Sequence, residues 1–545
     1  MRQRCQTQDP MQPLARTAAL LPLALLVPTL AIAEAVPVQV LAWDACPPAA
    51  AGAASTDGLQ CATAPVPMDY ADPSGPGFSL ALIKAPARDP ATRIGTLFWN
   101  PGGPGDAGTS FLPAAIGGFP AEVRDRFDIV SWDPRGMGGR TTPVVQCFDS
   151  AAAEAAFLGA HVSDSLPVTP EELVADAAGR AAFNAACVAR NGTLLEHVST
   201  ADNARDLDLL REAVGEDKLS YYGTSYGTFL GATYVNMFPG RVRAAVLDGA
   251  VTPSAWAGGP GEDMSLGTFL RIGSDFGAAQ AVGAFMDQCG AVDAAACAFS
   301  AGSPEATRRK WSDLLKRAAA GLTVDGQTID DGDLLSYAGA LTYTVSPVAG
   351  FDRFPGWAAV ATSLQHIADV AAGPGAPSAA DPGAPSAAAP SSPAPDAASY
   401  VTSAGRQLAV ICGESPNPET AAAFTAQVEA SYARAGHSAW PFVASCHGWS
   451  ARAADRYLGP WDNPTPAPVL VVGNTYDPAT PLASSVRMAQ ELADGHLLIV
   501  NGFGHTVLIN PSRCAQGYIA AYLIDGRLPP AGASCTQDAP PFRGD

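Results

Sequence analysis

Seven short apolar runs punctuate the chain, each bounded by turn residues: FSLALI (78–83), IGTLFW (94–99), FDIVSW (127–132), LSYY (219–222), AAVLD (244–248), PVLVV (468–472) and HLLIV (496–500). Their apolar residues run on rather than alternate, which suits strands covered on both faces in a parallel sheet. Helical periodicity fills several of the gaps. Residues 202–214 (DNARDLDLLREAV) place Leu207, Leu210 and Val214 on one face, with Asp202 as the expected N-cap, and lead directly into LSYY. Strand and helix alternate, which predicts the α/β class.

Between Val251 and about Pro466 the strand rhythm lapses, and helical stretches such as 305–320 and 354–372 take over. The expectation is a large, mainly helical cap, residues 256–465, inserted into an α/β core built from residues 34–255 and 466–545. Inside the cap, residues 371–399 are rich in Ala, Pro, Gly and Ser, with PGAPSAAD (374–381) nearly repeated as PGAPSAAA (382–389). Such a stretch has no side chains to offset its ordering entropy, so a mobile loop without chemistry is expected.

The first residues read differently. Arg2, Arg4 and Arg16 precede an apolar run from Thr17 to Ile32 that is broken by Pro22 and Pro28 and ends at Ala31-Ile32-Ala33, before Glu34. The run is short for a membrane span and closes on an A-x-A site. Residues 1–33 are therefore expected to be a cleaved signal peptide, with a mature chain that starts at Glu34 and is secreted or periplasmic. A start at Met11 would give a leader of more usual length. No Cys follows the site, so a lipid anchor is not suggested.

At 545 residues with 48% hydrophobic and 15% charged, the chain can bury a large core and is not a disordered polyelectrolyte. Its 32 basic and 52 acidic residues give a net charge of −20, and no Lys/Arg run interrupts the acidity. Nucleic acid and anionic membrane are thus not expected as partners. Of the 11 cysteines Cys5 lies in the leader, and the other ten are expected to be oxidised in an exported chain. Pairing sequence neighbours gives Cys46 with Cys61, Cys147 with Cys187, Cys289 with Cys297, Cys412 with Cys446, and Cys514 with Cys535. Sequence alone does not fix that connectivity. There is no C-x-x-C and no His at ligand spacing, so no metal is expected.

The strongest chemical signal is Gly223-Thr224-Ser225-Tyr226-Gly227, a G-x-S-x-G. The pentapeptide is weak evidence alone in so glycine-rich a chain, where it could be a structural turn. Its setting is stronger: LSYY precedes it and a helix-like TFLGATYVNMF (228–238) follows, the strand-elbow-helix context that lifts a serine oxygen clear of the backbone. Ser225 is the expected nucleophile. It needs a base, and the base needs a carboxylate, in the chain order Ser, acid, His. Five of the seven histidines (His161, His197, His366, His437 and His447) precede the last two expected strands, and His496 opens HLLIV at its far end. His505, in the glycine-flanked loop after that strand, is the expected base. Asp477, in GNTYDPATP beyond PVLVV, is the expected acid, whereas Asp462 precedes the strand. Oxyanion donors are expected from the Tyr226 N–H and from the loop Asn100-Pro101-Gly102-Gly103-Pro104-Gly105, with Gly103 favoured over Gly102. No G-K-[ST] and no ribose-binding acid accompany these glycines, so a phosphate-binding loop and a nucleotide cofactor are not expected.

NPGGPGDAG (100–108), SWDPRGMGGR (131–140), STADNARDLDLLREAVG (199–215), YYGTSYGTFLGATY (221–234), VLDGAV (246–251) and GNTYDPATP (473–481) together resemble the secreted tripeptidyl aminopeptidases, α/β-hydrolases related to the prolyl iminopeptidases. The likeness runs from about Cys61 to Cys535, with gaps in the cap. It implies an α/β-hydrolase fold whose cap precedes the acid-bearing strand. It also implies a serine exopeptidase without cofactor, acting on peptides with a free N-terminus, with Ser225, Asp477 and His505 as triad and Thr480 near the nucleophile. Single-residue iminopeptidases carry H-G-G-P-G, whereas this chain has Asn100-Pro101 ahead of its glycines, which fits the tripeptidyl branch. A substrate ammonium needs a carboxylate partner, and Glu414 in ICGES is the candidate, a surface glutamate being the plainer reading. The competing function is a carboxylesterase or small-amide hydrolase with the same triad. A non-catalytic binding relative would be marked by loss of a triad member, and an epoxide hydrolase or dehalogenase would need Asp at the elbow. Oligomeric state is left open.

Overall fold

A computed structural model describes residues 39–49, 53–162, 166–349, 354–373, 400, 402 and 404–542. The leader, residues 1–33, and the repeats at 374–389 lie outside the described residues.

Twelve strands are present among them: β1 (Asp44–Ala45), β2 (Gln60–Pro67), β3 (Gly77–Ala85), β4 (Gly95–Asn100), β5 (Phe127–Trp132), β6 (Leu219–Thr224), β7 (Val242–Asp248), β8 (Leu322–Val324), β9 (Gln327–Ile329), β10 (Val469–Tyr476), β11 (Gly495–Phe503) and β12 (Ser534–Thr536). Ten form one sheet in the order β1-β2-β3-β5-β4-β6-β7-β10-β11-β12. Pairing is antiparallel from β1 to β5 and parallel from β5 to β12.

All seven apolar runs are strands of this sheet, and their side chains show why they do not alternate with polar residues. Val469 and Val471 of β10 and Ala245 and Leu247 of β7 enter one core, beside Tyr221 and Phe98. Leu470, Val472, Ala244 and Val246 enter a second core on the opposite face, beside Leu97, Trp99 and Tyr222. With helices on both faces, every position of the central strands β4 and β6 is buried.

The helix ahead of β6 spans Thr200–Ala213 and is capped by Ser199, whose hydroxyl accepts the Asp202 N–H. Asp202 was expected as the cap. Ser199-Thr200-Ala201-Asp202 is instead an S-x-x-D pattern that starts the helix three residues earlier, with Asp202 in its first turn accepting the Ser199 hydroxyl.

The segment between β7 and β10 is largely helical. Helices Ser274–Gly290, Pro304–Ala318, Asp331–Leu341, Trp357–Ala372 and Ala421–Ala435 build a third core around Phe285, Trp357 and Phe424. Leu173 and Ala177, from the helix Pro170–Asn191, join it. This segment also holds the hairpin β8–β9, which turns at Asp325 (φ 50) and Gly326 (φ 80), an Asp-Gly pair suited to a tight turn.

The ten cysteines pair as sequence neighbours, in five disulfides. Among the described residues no helix is long and apolar enough to cross a membrane.

Candidate active site

The chemistry-bearing residues collect where the parallel strands end at their carboxyl edges: Gly102 and Gly103 after β4, Ser225 after β6, Asp477 after β10 and His505 after β11. That edge is where open α/β sheets place their ligands.

Ser225 sits between β6 and the helix Tyr226–Met237 with φ 57 and ψ −129. Such a conformation is strained for a residue with a Cβ and is held here by its surroundings. The Ser225 N–H donates to the Asp248 carbonyl at 3.0 Å, and the Thr224 hydroxyl donates to the carbonyls of Asn100 and Pro101 at 3.1 and 3.0 Å. A Cβ on Gly227 would lie 2.6 Å from the Asn100 carbonyl oxygen, so this flank of the elbow admits only glycine.

His505 is buried, and its Nδ1 lies 2.9 Å from each oxygen of Asp477. Asp477 is fixed in turn: its Oδ1 accepts the N–H groups of Ala479 and Thr480 at 2.9 and 2.8 Å, and its Oδ2 accepts the Thr480 hydroxyl at 3.1 Å. The Thr480 hydroxyl is also 3.4 Å from His505 Nδ1. With Nδ1 turned to the carboxylate, Nε2 is left for a proton on the cavity side. His496 lies at the opposite end of β11, exposed, against Asp494.

Ser225, His505, Thr480, Gly103 and Tyr226 line one cavity of about 440 Å³. The Gly102 N–H donates to the Asn100 side chain at 3.0 Å and is thus engaged. Among the described residues no acceptor takes the Gly103 N–H, and the Tyr226 N–H heads its helix, where no helical carbonyl reaches it. Gly102 (φ 106) has another duty: a Cβ there would stand 2.8 Å from the Ser225 Cβ, so the loop closes on the elbow only through glycine. The remaining wall is mostly aromatic and aliphatic. Trp99 and Phe111 come from the core segment, and Trp256, Phe269, Tyr343, Phe354 and Phe442 from the segment between β7 and β10.

Glu414 does not line this cavity, against its expectation as the partner of a substrate ammonium. It is buried one layer behind, at the end of the helix Gly405–Glu414, where three donors fill its oxygens: the Thr200 N–H at 2.7 Å, the Thr200 hydroxyl at 2.6 Å and the Trp256 indole N–H at 2.7 Å. Burial pushes its carboxyl up to about 7 in spite of these bonds.

Three residues support His505 that the sequence reading had not singled out. Asp248, at the end of β7, accepts the Val507 N–H with both oxygens at 2.9 Å, the Leu508 N–H at 3.0 Å and the Tyr222 hydroxyl at 3.0 Å. Burial raises its carboxyl to about 6. The Tyr343 carbonyl accepts the His505 N–H at 2.8 Å, and its ring packs edge-on against the imidazole. The Asn510 side chain donates to the carbonyls of both, at 2.9 Å. Asp248 lay within the VLDGAV block; Tyr343 and Asn510 carry no local signal.

The family described as TAP-like protein matches residues 431–535, and the α/β hydrolase fold matches residues 96–271. The serine protease Hip1 of Mycobacterium tuberculosis is 31% identical over 530 residues, covering 91% of each chain. The carboxylesterase B of the same organism is 32% identical over 512 residues, covering 90% of this chain and 89% of its own. The tripeptidyl aminopeptidase of Streptomyces lividans is 29% identical over 514 residues, covering 89% and 84%. With such likeness sustained along nearly the whole chain, the protein belongs to the tripeptidyl aminopeptidase family of α/β-hydrolases and is a serine hydrolase of the peptidase type.

Proposed function

We propose that the protein is an exported exopeptidase that hydrolyses a peptide bond near a free N-terminus through Ser225, His505 and Asp477. The observation that carries this reading is the convergence of the elbow serine, a carboxylate-held imidazole and two unengaged N–H groups on one largely apolar cavity. In the proposed reaction, Ser225 Oγ attacks the scissile carbonyl as its proton passes to His505 Nε2, and the oxyanion is taken by the N–H groups of Gly103 and Tyr226. The imidazolium then protonates the leaving amine, the C–N bond breaks and an acyl-enzyme remains. Water, giving its proton to the same nitrogen, attacks the ester. The carboxylic product leaves, and the proton returns to Ser225.

In the same proposal residues 34–255 and 466–545 supply the reacting groups and residues 256–465 the roof. A roofed cavity of about 440 Å³ suits the short end of a chain rather than a folded or internal stretch. Removal of residues 1–33 as a leader and passage into an oxidising compartment agree with five disulfides. The relative named carboxylesterase B keeps ester hydrolysis by the same residues as the second reading. A panel of free and N-acetylated peptide anilides of one to three residues, beside short p-nitrophenyl esters, separates the two. Free peptides should be turned over at least about a hundredfold better than acetylated ones, the scale of a lost charged contact. Turnover confined to esters, or equal rates for free and acetylated peptides, would overturn the exopeptidase.

A further inference from the structure

Thr506, the residue after the base, turns the chain with φ 63. A β-branched residue is disfavoured in that left-handed region, which glycine enters without steric cost. The turn is held from its main chain. The Thr506 N–H donates to Asp477 Oδ2 at 3.3 Å, its carbonyl accepts the Asn510 side chain at 3.2 Å, and the next N–H, of Val507, goes to Asp248. None of these bonds needs a side chain at 506, and a strained residue kept beside a reacting group marks a functional side chain.

That side chain lies beside the imidazole. A Cβ on Gly249 would stand 2.8 Å from Thr506 Cγ2, 3.3 Å from His505 Cε1 and 3.0 Å from Thr480 Oγ1, so the three side chains meet over Gly249. Thr506 is only 3% exposed and lines the cavity, and its hydroxyl has no hydrogen-bond partner among the described residues. Several other polar side chains of the wall are already engaged: the Thr224 hydroxyl with the Asn100 and Pro101 carbonyls, the Thr480 hydroxyl with Asp477, and Arg406 with Asp106 at 3.4 Å. A buried hydroxyl without a protein partner is costly unless water reaches it, and here water reaches it from the cavity.

We infer that the Thr506 hydroxyl binds the water that hydrolyses the acyl-enzyme, an assignment that rests on the route through Ser225 and His505 proposed above but not on peptide over ester as substrate. That water has two protons. One passes to His505 Nε2 as the oxygen bonds to the acyl carbon; the other, directed at Thr506 Oγ, turns a lone pair toward that carbon. The second proton stays with the product carboxyl, the bond from the acyl carbon to Ser225 Oγ breaks, and the imidazolium returns its proton to Ser225. During acylation the leaving group occupies the water's place beside Nε2. Loss of the hydroxyl should therefore slow deacylation and spare acylation.

The test is turnover of a short peptide p-nitrophenyl ester, whose good leaving group makes deacylation limit kcat, by the parent, Thr506→Val, Thr506→Ser and Thr506→Gly. Thermal melting and the mass of acid-quenched enzyme accompany the rates. Thr506→Val keeps the branch and loses the hydroxyl: kcat should fall at least about tenfold while kcat/KM stays within about threefold, and the acyl group should accumulate on Ser225. Thr506→Ser should restore most of kcat. Thr506→Gly, which relieves the turn, should show the same slow deacylation, and it decides the matter alone if the Val variant does not melt cooperatively. An unchanged kcat without the hydroxyl, or kcat and kcat/KM that fall in proportion because the side chain only seats His505, overturns the assignment. Absence of an acyl group on Ser225 in the parent and the variants alike overturns the route beneath it.

Discussion

Trp256 donates its indole N–H to Glu414 at 2.7 Å, and while Trp256 lines the cavity, Glu414 lies wholly behind it. The Thr200 hydroxyl, 2.6 Å from the same carboxyl oxygen, is 2.5 Å from the Tyr226 phenol. A hydroxyl has one proton to give. If Thr200 gives it to Glu414, Tyr226 gives its own to Thr200, so an ionised Glu414 orients both the Trp256 and the Tyr226 side chains of the cavity wall.

That carboxyl predicts a pH signature. Its ordinary value of 4.5 is raised to about 7 in the fold, chiefly by burial and further by Asp202, against the Thr200 and Trp256 bonds that lower it. Between those values the folded chain holds a proton that the unfolded chain has released. Stability from this group is therefore fully present below pH 4.5 and is lost as pH rises through 7, by about 3 kcal/mol in all. Glu414→Gln removes this loss but leaves one of three donors facing an amide NH₂, so it should be less stable in acid and should narrow the gap as pH rises from 5 to 7. Melting temperatures of both proteins across that range decide it; parallel curves would show that Glu414 does not titrate there.

Asp248 makes a second prediction. Its two oxygens hold the Val507 and Leu508 N–H groups, and so the loop that carries His505. Asparagine offers one oxygen and turns an NH₂ toward donors. Asp248→Asn should cost about 2–3 kcal/mol of stability and, by letting the imidazole shift, lower kcat by roughly tenfold to a hundredfold with a smaller change in KM. Steady-state rates beside a melting curve measure both. A lower melting temperature with an unchanged kcat would mean that Asp477 and Tyr343 hold His505 without it.

The helix carrying Arg406 and Glu414 is tied by the Cys412–Cys446 disulfide, which closes a loop of 34 residues. Loss of a closure of that size removes about 3–4 kcal/mol on the chain-entropy account. A Cys412→Ala, Cys446→Ala protein should melt lower accordingly, and a melting temperature within a degree of the parent would deny the bond a stabilising role. Thiol titration of the unfolded, unreduced parent should find none in a chain that starts at Glu34, and one, Cys5, in a chain that keeps its leader.

What the sequence made legible follows from locality. Strands buried on both faces announce themselves as apolar runs, and Ser225, Asp477 and His505 each sit in a short segment at a strand's end. The strands missed are of another kind. β2 carries Pro65 and Pro67 and alternates buried with exposed residues from Ala62 to Val66, and β1, β8, β9 and β12 are two or three residues long. Not every motif of the resemblance reaches the site: SWDPRGMGGR places no residue on the cavity, and its Arg135 is buried against Asp206, with bonds of 2.7 and 2.5 Å that dock the turn after β5 on the helix Thr200–Ala213. The cavity itself was illegible because its parts meet only in the fold. Asp106 and Arg406 are 300 residues apart, and one segment does not reveal that Thr200 and Trp256 will fill the oxygens of Glu414.

The assignment of the base is the sharpest of the remaining predictions, since two histidines flank the same strand. His496 opens β11 and pairs with Asp494 in solvent; His505 follows its other end, buried against Asp477 in the cavity that holds Ser225. Members of a serine triad act as a unit, so Ser225→Ala and His505→Ala should each lower kcat by at least about ten-thousandfold, with the double variant little worse than either. Ser225→Ala removes only an oxygen at a half-buried site, so its melting temperature should stay near that of the parent. His496→Ala, which loses one exposed ion pair, should keep kcat and KM within about twofold and stability within about 0.5 kcal/mol. Peptide anilide turnover, with a fluorophosphonate probe to count reactive serines, reads all four proteins. An inactive His496 variant beside an active His505 variant would move the base to the other end of the strand, and labelling that persists in Ser225→Ala would remove the nucleophile from the elbow.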